Sequence, residues 1–225
     1  MTATTIEIAG IELLLLPEKA LFLPESRTLL VADVHIGKAL SFRRLGVPVP
    51  SGTTSETLAV LSELVCRWDA RCIVFLGDFL HSRHVQDSAT MLALDEWRTL
   101  HATLEMTLVR GNHDDRAGDP PPQLGIRVVD EPLLEDGFAL CHHPKPVAGQ
   151  YVLAGHLHPC VHVGLRGWDH LRLPCFWFAD SVGVLPAFGA FTGMHPVRCG
   201  AEDRIFAVAD STVAAMPVAG ERFAA

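Results

Sequence analysis

Gly111-Asn112-His113-Asp114 offers an amide oxygen, an imidazole and a carboxylate within four residues, directly after the apolar run Met106–Val109. A turn asks for Gly or Asn on backbone grounds, but it does not ask for His and Asp beside them. Alone, the stretch reads as readily as a Gly-Asn turn with incidental neighbours. Clusters of the same kind recur, however, at Asp33-Val34-His35, at Gly77-Asp78-Phe79-Leu80-His81, at His142-His143, and at Gly155-His156-Leu157-His158. Each follows a short apolar run. A lone histidine on an apolar chain is usually a satisfied core residue, whereas five strand-end clusters in order are poorly explained that way. Asp33, His35, Asp78, Asn112, His142, His156 and His158 supply oxygen and imidazole without thiolate, a set suited to Mn, Fe, Zn or a similar divalent ion. Seven donors are too many for one tetrahedral site and suit two ions sharing a carboxylate. Two ions roughly 3.5–4 Å apart clamp a phosphoryl group, lower the pKa of a bridging water and stabilise charge developing on oxygen.

Positioning such a set needs strands that end together. Thr5–Ile8, Ile11–Leu16 and Ala20–Leu23 read as short strands punctuated by Gly10, Pro17 and Pro24. Thr28–Ala32 is a compact apolar run, the form of a buried strand, and Asp33 and His35, two apart at its end, are expected to point the same way. Thr53-Thr54-Ser55-Glu56 fits a capping box with Thr53 as N-cap, and Leu58, Leu61, Leu64, Val65 and Trp68 follow at helical spacing, predicting a helix over Thr54–Trp68. Cys72–Leu76 is the next strand. A second helix is expected from Asp87 or Ser88 to about Leu104, with Met91, Leu92, Trp97 and Leu100 toward the core. Strand, helix, strand, helix, strand implies parallel crossovers, and ligands in such sheets bind beyond the carboxyl ends of the strands. After Pro120-Pro121-Pro122 the texture becomes strand-rich: Ile126–Val129, Phe138–Cys141, Tyr151–Ala154, Leu171–Leu173, Cys175–Phe178, Val182–Leu185, Ile205–Val208 and Thr212–Met216. No repeat or linker divides the chain, so residues 1–225 are read as one domain.

Composition sets the bounds. A hydrophobic content of 49% against 20% charged residues is globular, with ample material for a core. No apolar run approaches the roughly 18 residues of a membrane span, and Met1–Gly10 lacks the basic-then-apolar pattern of a signal peptide. The six cysteines are scattered without a C-x-x-C pair and read as buried thiols in a reducing compartment. The expectation is a cytoplasmic protein with no membrane partner. A net charge of −8 argues against indiscriminate coating of nucleic acid but leaves room for a local basic groove.

The ordered blocks Asp33-x-His35, Gly77-Asp78, Gly111-Asn112-His113-Asp114, His142 and Gly155-His156-x-His158 resemble those of the calcineurin-like metallophosphoesterase superfamily. The resemblance implies an α/β fold, a four-layer αββα sandwich of two mixed β-sheets flanked by helices. It implies that Asp33, His35 and His158 hold one divalent ion, that Asn112, His142 and His156 hold a second, and that Asp78 bridges them. His142 is preferred to His143 because it comes directly off the strand. Mn2+ is the expected metal, with Zn2+ or Fe as alternatives. His113 is then a catalytic group rather than a ligand, stabilising phosphate charge or protonating the leaving oxygen. Asp114 would fix its tautomer and keep it protonated. The attacking group implied is a hydroxide bridging the ions, so no protein nucleophile is needed. Relatives often carry Asp where this chain has His81, which reads either as touching substrate or the metal shell or as an ordinary loop histidine.

Further segments are similar to one subgroup, the DNA-ligase-associated damage-response endonucleases (PdeM). They are Asp33–Lys38, Ser41–Arg44, Gly46–Pro50, Gly77–His81, Arg110–Asp114 with Ala117–Pro120, Leu173–Phe178 and Leu185–Gly193. That likeness implies a phosphodiesterase acting on DNA in repair, beside a DNA ligase and a helicase. Lys38, Arg43, Arg44, His81 and Arg110 are the candidate substrate-binding residues, with Arg83 and Arg116 near the same rim; a few cations there would grip phosphates without reading sequence. Phe42, Trp168 or Trp177 could stack on bases, although Trp177 is expected in the core. Two other readings compete: a small-molecule (nucleotide) phosphodiesterase or phosphatase, and a non-catalytic, metal-dependent docking module.

Overall fold

The computed structural model describes residues 2–49, 52–82, 88–164 and 170–217. Arg83, Asp87 and Trp168 lie outside the described residues, and of Arg44 only the backbone is described. The elements in order are β1 (Thr4–Ile8), β2 (Ile11–Leu15), β3 (Leu21–Leu23), β4 (Thr28–Val31), α1 (Lys38–Arg44), α2 (Thr53–Trp68), β5 (Cys72–Leu76), α3 (Ser88–Leu100), β6 (Glu105–Val109) and α4 (Asp114–Ala117). They continue with a 3-10 turn (Pro122–Leu124), β7 (Arg127–Val129), β8 (Leu133–Glu135), β9 (Phe138–Leu140), β10 (Tyr151–Ala154), β11 (Pro159–Gly164), β12 (His170–Phe178), β13 (Val182–Val184), β14 (His195–Pro196), β15 (Arg204–Ala209) and β16 (Thr212–Met216).

These strands form two mixed sheets. The first runs β1-β2-β3-β4-β5-β6-β7, antiparallel from β1 to β4 and parallel from β4 to β7. The second runs β14-β11-β12-β13-β10-β9-β8, with β15 and β16 attached at β12; β9, β10 and β13 are parallel. The parallel strands β4 (TLLV), β5 (CIVFL) and β6 (EMTLV) are nearly continuous apolar runs because both their faces are covered. Alternate residues serve two cores. Leu29, Val31, Ile73, Phe75 and Leu108 face helices α2 and α3 through Leu58, Leu61, Leu64, Leu94 and Trp97. Leu30, Val74, Leu76 and Val109 face the second sheet through Phe138, Leu140, Leu153, Phe176 and Phe178. No α-helix follows Ala117 among the described residues; the other face of the second sheet carries a small cluster of Ala139, Cys141, Val152 and Ala154.

Local expectations are adjusted in four places. The N-cap of α2 is Gly52 at φ 96°, not Thr53, and no side chain caps it; a left-handed turn starts the helix, so Thr53 becomes its first residue. On α3 the inward residues are Leu94 and Trp97, while Leu92 and Leu100 are 59% and 73% exposed. The helix ends at Leu100, four residues short of the expected limit, and its phase follows Leu94 and Trp97. The runs on either side of Pro174 are one strand, which pairs with β11 up to Pro174 and with β13 and β15 from Cys175 onward. Proline lacks an N–H to donate, and it sits where the partners change. The cysteines are all free, but Cys66 and Cys199 are exposed rather than buried. No helix among the described residues is long and apolar enough to cross a membrane.

Candidate metal centre

The carboxyl ends of β4, β5, β6, β9 and β10 lead into the five clusters. What aims the side chains is not strand alternation. Asp33, His35, Asp78, His156 and His158 have φ of 52°, 49°, 52°, 71° and 48°. Residues with a Cβ seldom adopt this left-handed region, and such strain persists only where surrounding contacts over-determine it. Those contacts are present. His35 N donates to Asp78 O (2.9 Å) and Ile36 N to Phe79 O (2.8 Å), which ties the first loop to the second. His113 N donates to Asp78 Oδ1 and His156 N to Asp33 Oδ2, both at 2.8 Å. Two glycines make room for these approaches. A Cβ on Gly111 would lie 2.5 Å from Asp78 Oδ1 and 2.6 Å from Asp78 N, and one on Gly155 would lie 2.7 Å from Asp33 Oδ2.

Ligand-type atoms of Asp33, His35 and His158 fall within 4.8 Å of one another, as do those of Asp33, Asp78 and His142 and those of His142, His143 and His156. Two imidazole tautomers can be assigned from their backbone partners. His142 Nδ1 donates to Leu76 O (3.0 Å) and His158 Nδ1 to Gly193 O (3.0 Å), leaving each Nε2 as a lone-pair donor. His142 Nε2 then faces Asn112 Oδ1 at 3.0 Å and Asp78 Oδ1 at 3.6 Å, and His158 Nε2 faces Asp33 Oδ1 at 3.5 Å. Asp33 Oδ1 is buried without a hydrogen-bond partner. Lone pairs converging in a buried space repel one another unless a cation lies among them, so the residues present fit a metal. Asp78 stands between the groups: Oδ2 is 3.8 Å from His35 Nε2, while Oδ1 faces His142.

Proton chemistry agrees. Burial, followed by Lys38 and the neighbouring His113, His158 and His81, pushes His35 down to about 2. Burial, then His142 and His143, lowers His156. Both imidazoles are therefore neutral near pH 7, the form a metal requires.

The other expected residues divide. The His113 ring is partly open to solvent, with Nε2 3.9 Å from Asp78 Oδ2 and Nδ1 3.4 Å from the carbonyl of His81. Its ring stacks on His81 at 5.4 Å. His81 is pushed down to about 4 by burial, Lys38 and His113. Burial lowers Lys38, against the pull of Asp33 and Asp78, so its ammonium sits within the field of the donor cluster. Arg43 is exposed on α1. Two expectations are corrected. Asp114 makes no bond to the His113 ring: fully buried, its carboxylate accepts N–H bonds from Phe79 (3.0 Å), Leu80 (3.3 Å) and Gly111 (3.0 Å), and so clamps the second loop to the third. Burial pushes it up to about 6, against the pull of the Gly111 and Leu80 bonds. Arg110 is not free to grip phosphate. It forms a two-pronged bridge to Asp119 at 3.0 Å and a contact to Asp130, and the Asp119 bond raises its pKa.

Two further parts of the site are not placed there by motif spacing: Glu131, and the 186–193 part of the Leu185–Gly193 segment. Glu131 Oε2 accepts N–H bonds from His142 and His143, both at 2.8 Å, and Oε1 pairs with His143 Nδ1 at 2.8 Å. Burial would push this carboxyl up, but the His143 and His142 bonds outweigh it and hold it below the usual range. The second part is residues 186–193. Phe188 N donates to Ala32 O (2.8 Å) and Gly189 N to Asp33 O (3.1 Å), while half-buried Lys19 donates from Nζ to Phe188 O at 2.8 Å.

Burial lowers Lys19 to about 8 from an ordinary 10.5. Between those values the unfolded chain holds the proton more tightly, so the stability contributed here rises as pH rises through the window. Denaturant unfolding of wild type and Lys19→Met at about pH 7 and about pH 10 should show the difference moving in favour of wild type by roughly 2 kcal/mol, a figure discounted for partial exposure. A pH-independent difference would mean that the amine is solvated.

Three comparisons bear on the site. The profile of the family described as calcineurin-like phosphoesterase matches residues 26–177. The crystal structure of Pseudomonas putida nuclease MPE is similar at 44% identity and a TM-score of 0.85, covering 96% of this chain and 100% of that one. Yfce, a phosphoesterase from E. coli, aligns at 15% identity and a TM-score of 0.41 over 83% of this chain and 95% of its own. No curated protein sequence matches.

Proposed function

The chain belongs to the calcineurin-like phosphoesterase family, and we propose that it is a dinuclear, metal-dependent phosphodiesterase that cleaves DNA. The observation that carries this reading is the placement of Asp78, one carboxylate oxygen toward the His35 side and the other toward His142. In this reading Asp33, His35 and His158 hold one ion, Asn112, His142 and His156 hold the other, and Asp78 serves both, with Mn2+ as the metal. Bound there, the ion pair would supply an activated water and neutralise charge on the phosphoryl oxygens.

The chain's own groups do the rest. His113, with Nδ1–H directed at the His81 carbonyl, presents Nε2 to the cleft and passes a proton to the leaving oxygen. Lys38 adds positive charge beside the donor cluster, and Arg43 and Arg44 on the same helix extend the grip along the backbone. The likeness to a nuclease over nearly the whole chain supports DNA as substrate. A role in DNA repair with a ligase and a helicase, in the cytoplasm, belongs to the same reading and rests on the sequence segments.

The test is hydrolysis of a chromogenic phosphodiester and a matched monoester, with Mn2+ supplied or chelated, and with linear DNA as competitor. Expected are diester-selective, metal-dependent turnover, competition by DNA, and a loss of about 10²–10⁴-fold in His113→Ala. Turnover confined to the monoester, or indifference to DNA, would replace this reading with a small-molecule phosphatase.

A further inference from the structure

Phe191 is 48% exposed and, among the described residues, it is the only exposed Phe, Tyr or Trp. It also has φ 59°, a left-handed conformation in which a bulky side chain is an outlier. Both features occur on a stretch tied at both ends to donor residues, at Asp33 through Gly189 and at His158 through Gly193, with further bonds linking Phe188 to Ala32 and Lys19. The ring therefore stands on a fixed support. On one side it shares a crevice with His35, Lys38, Thr53 and Thr54. On the other it borders a cavity of about 190 Å³ with His158, Pro159, Pro174 and Met194.

Among the described residues, the other aromatic candidates for stacking, Phe42 and Trp177, are less accessible. Both are half-buried, and the Trp177 indole N–H is committed to Asp203. An exposed ring beside a lysine and a phosphate-type centre matches the layout of single-strand binding sites, where cations track the phosphates and aromatic faces take the bases.

On these grounds we propose that Phe191 stacks on a nucleobase next to the phosphate held at the donor cluster. The stretch 186–193 thus selects a phosphodiester carrying an unpaired base over a bare sugar-phosphate. This rests on the nuclease reading above.

The experiment uses metal-loaded full-length protein and single-stranded DNA oligonucleotides, one intact and a set with a single abasic position moved along the strand. An abasic position flanking the cleaved bond should raise the wild-type KM by about 5- to 100-fold. In Phe191→Ala the intact strand should show a similar rise and the abasic position should no longer matter. Phe191→Trp should restore the preference for a base, which a merely misfolded loop would not do. An intact-versus-abasic ratio in Phe191→Ala equal to that of wild type overturns the stacking role while leaving the nuclease reading in place. A wild-type protein that cleaves the chromogenic diester but no oligonucleotide overturns both.

Discussion

Asp78→Asn should lower metal-dependent phosphodiester turnover by at least about 10³-fold, the equivalent of roughly 4 kcal/mol of transition-state stabilisation, while the protein stays folded. Asparagine keeps the size of the side chain and an oxygen that can still accept the His113 N–H bond now made by Asp78 Oδ1. It removes the negative charge from a side chain 4% exposed, placed between His35 and His142. Metal content per chain should fall below two with the melting temperature little changed. Turnover within about tenfold of wild type would mean that the carboxylate is structural.

The second large effect is on stability. Asp114→Ala strands three backbone N–H groups, of Phe79, Leu80 and Gly111, in a place from which water is excluded. Each unsatisfied donor costs about 1–3 kcal/mol, so urea unfolding should show a loss of roughly 3–6 kcal/mol. Asp114→Asn, which keeps one carbonyl oxygen, should lose about half as much. Because Phe79 and Leu80 directly follow Asp78, metal affinity should also weaken by about 10–100-fold, the usual effect of removing a support behind a ligand. A loss below about 1 kcal/mol in Asp114→Ala would show that the loops are held by other means.

The donor set was legible because its chemistry is local: oxygen and imidazole side chains directly after apolar runs, with β4, β5 and β6 recognisable as compact, largely apolar runs. Less legible was how the donors converge. Alternation along a strand does not account for Asp33 and His35: both are left-handed and held there by bonds to residues 43 and 123 positions away, which no short window contains. The roles of Asp114 and Arg110 are hidden for a related reason. A carboxylate beside a histidine in sequence suggests a pair, but the helical turn of α4 directs Asp114 back to the second loop, and the acceptors of Arg110 lie 9 and 20 residues downstream. Glu131 and Lys19 act through backbone groups of distant segments. Phe191 was visible only as part of an aromatic stretch whose position beside His158 comes from pairing at the far end of the chain.

The most direct single measurement is turnover of a chromogenic phosphodiester by metal-stripped protein as Mn2+ is returned in known equivalents, with bound metal counted in the same samples. Turnover that is negligible in the stripped protein, rises steeply as the second equivalent binds and levels off at two per chain is the expected result. Hydrolysis unaffected by stripping, or none with two ions bound, would contradict a dinuclear phosphodiesterase.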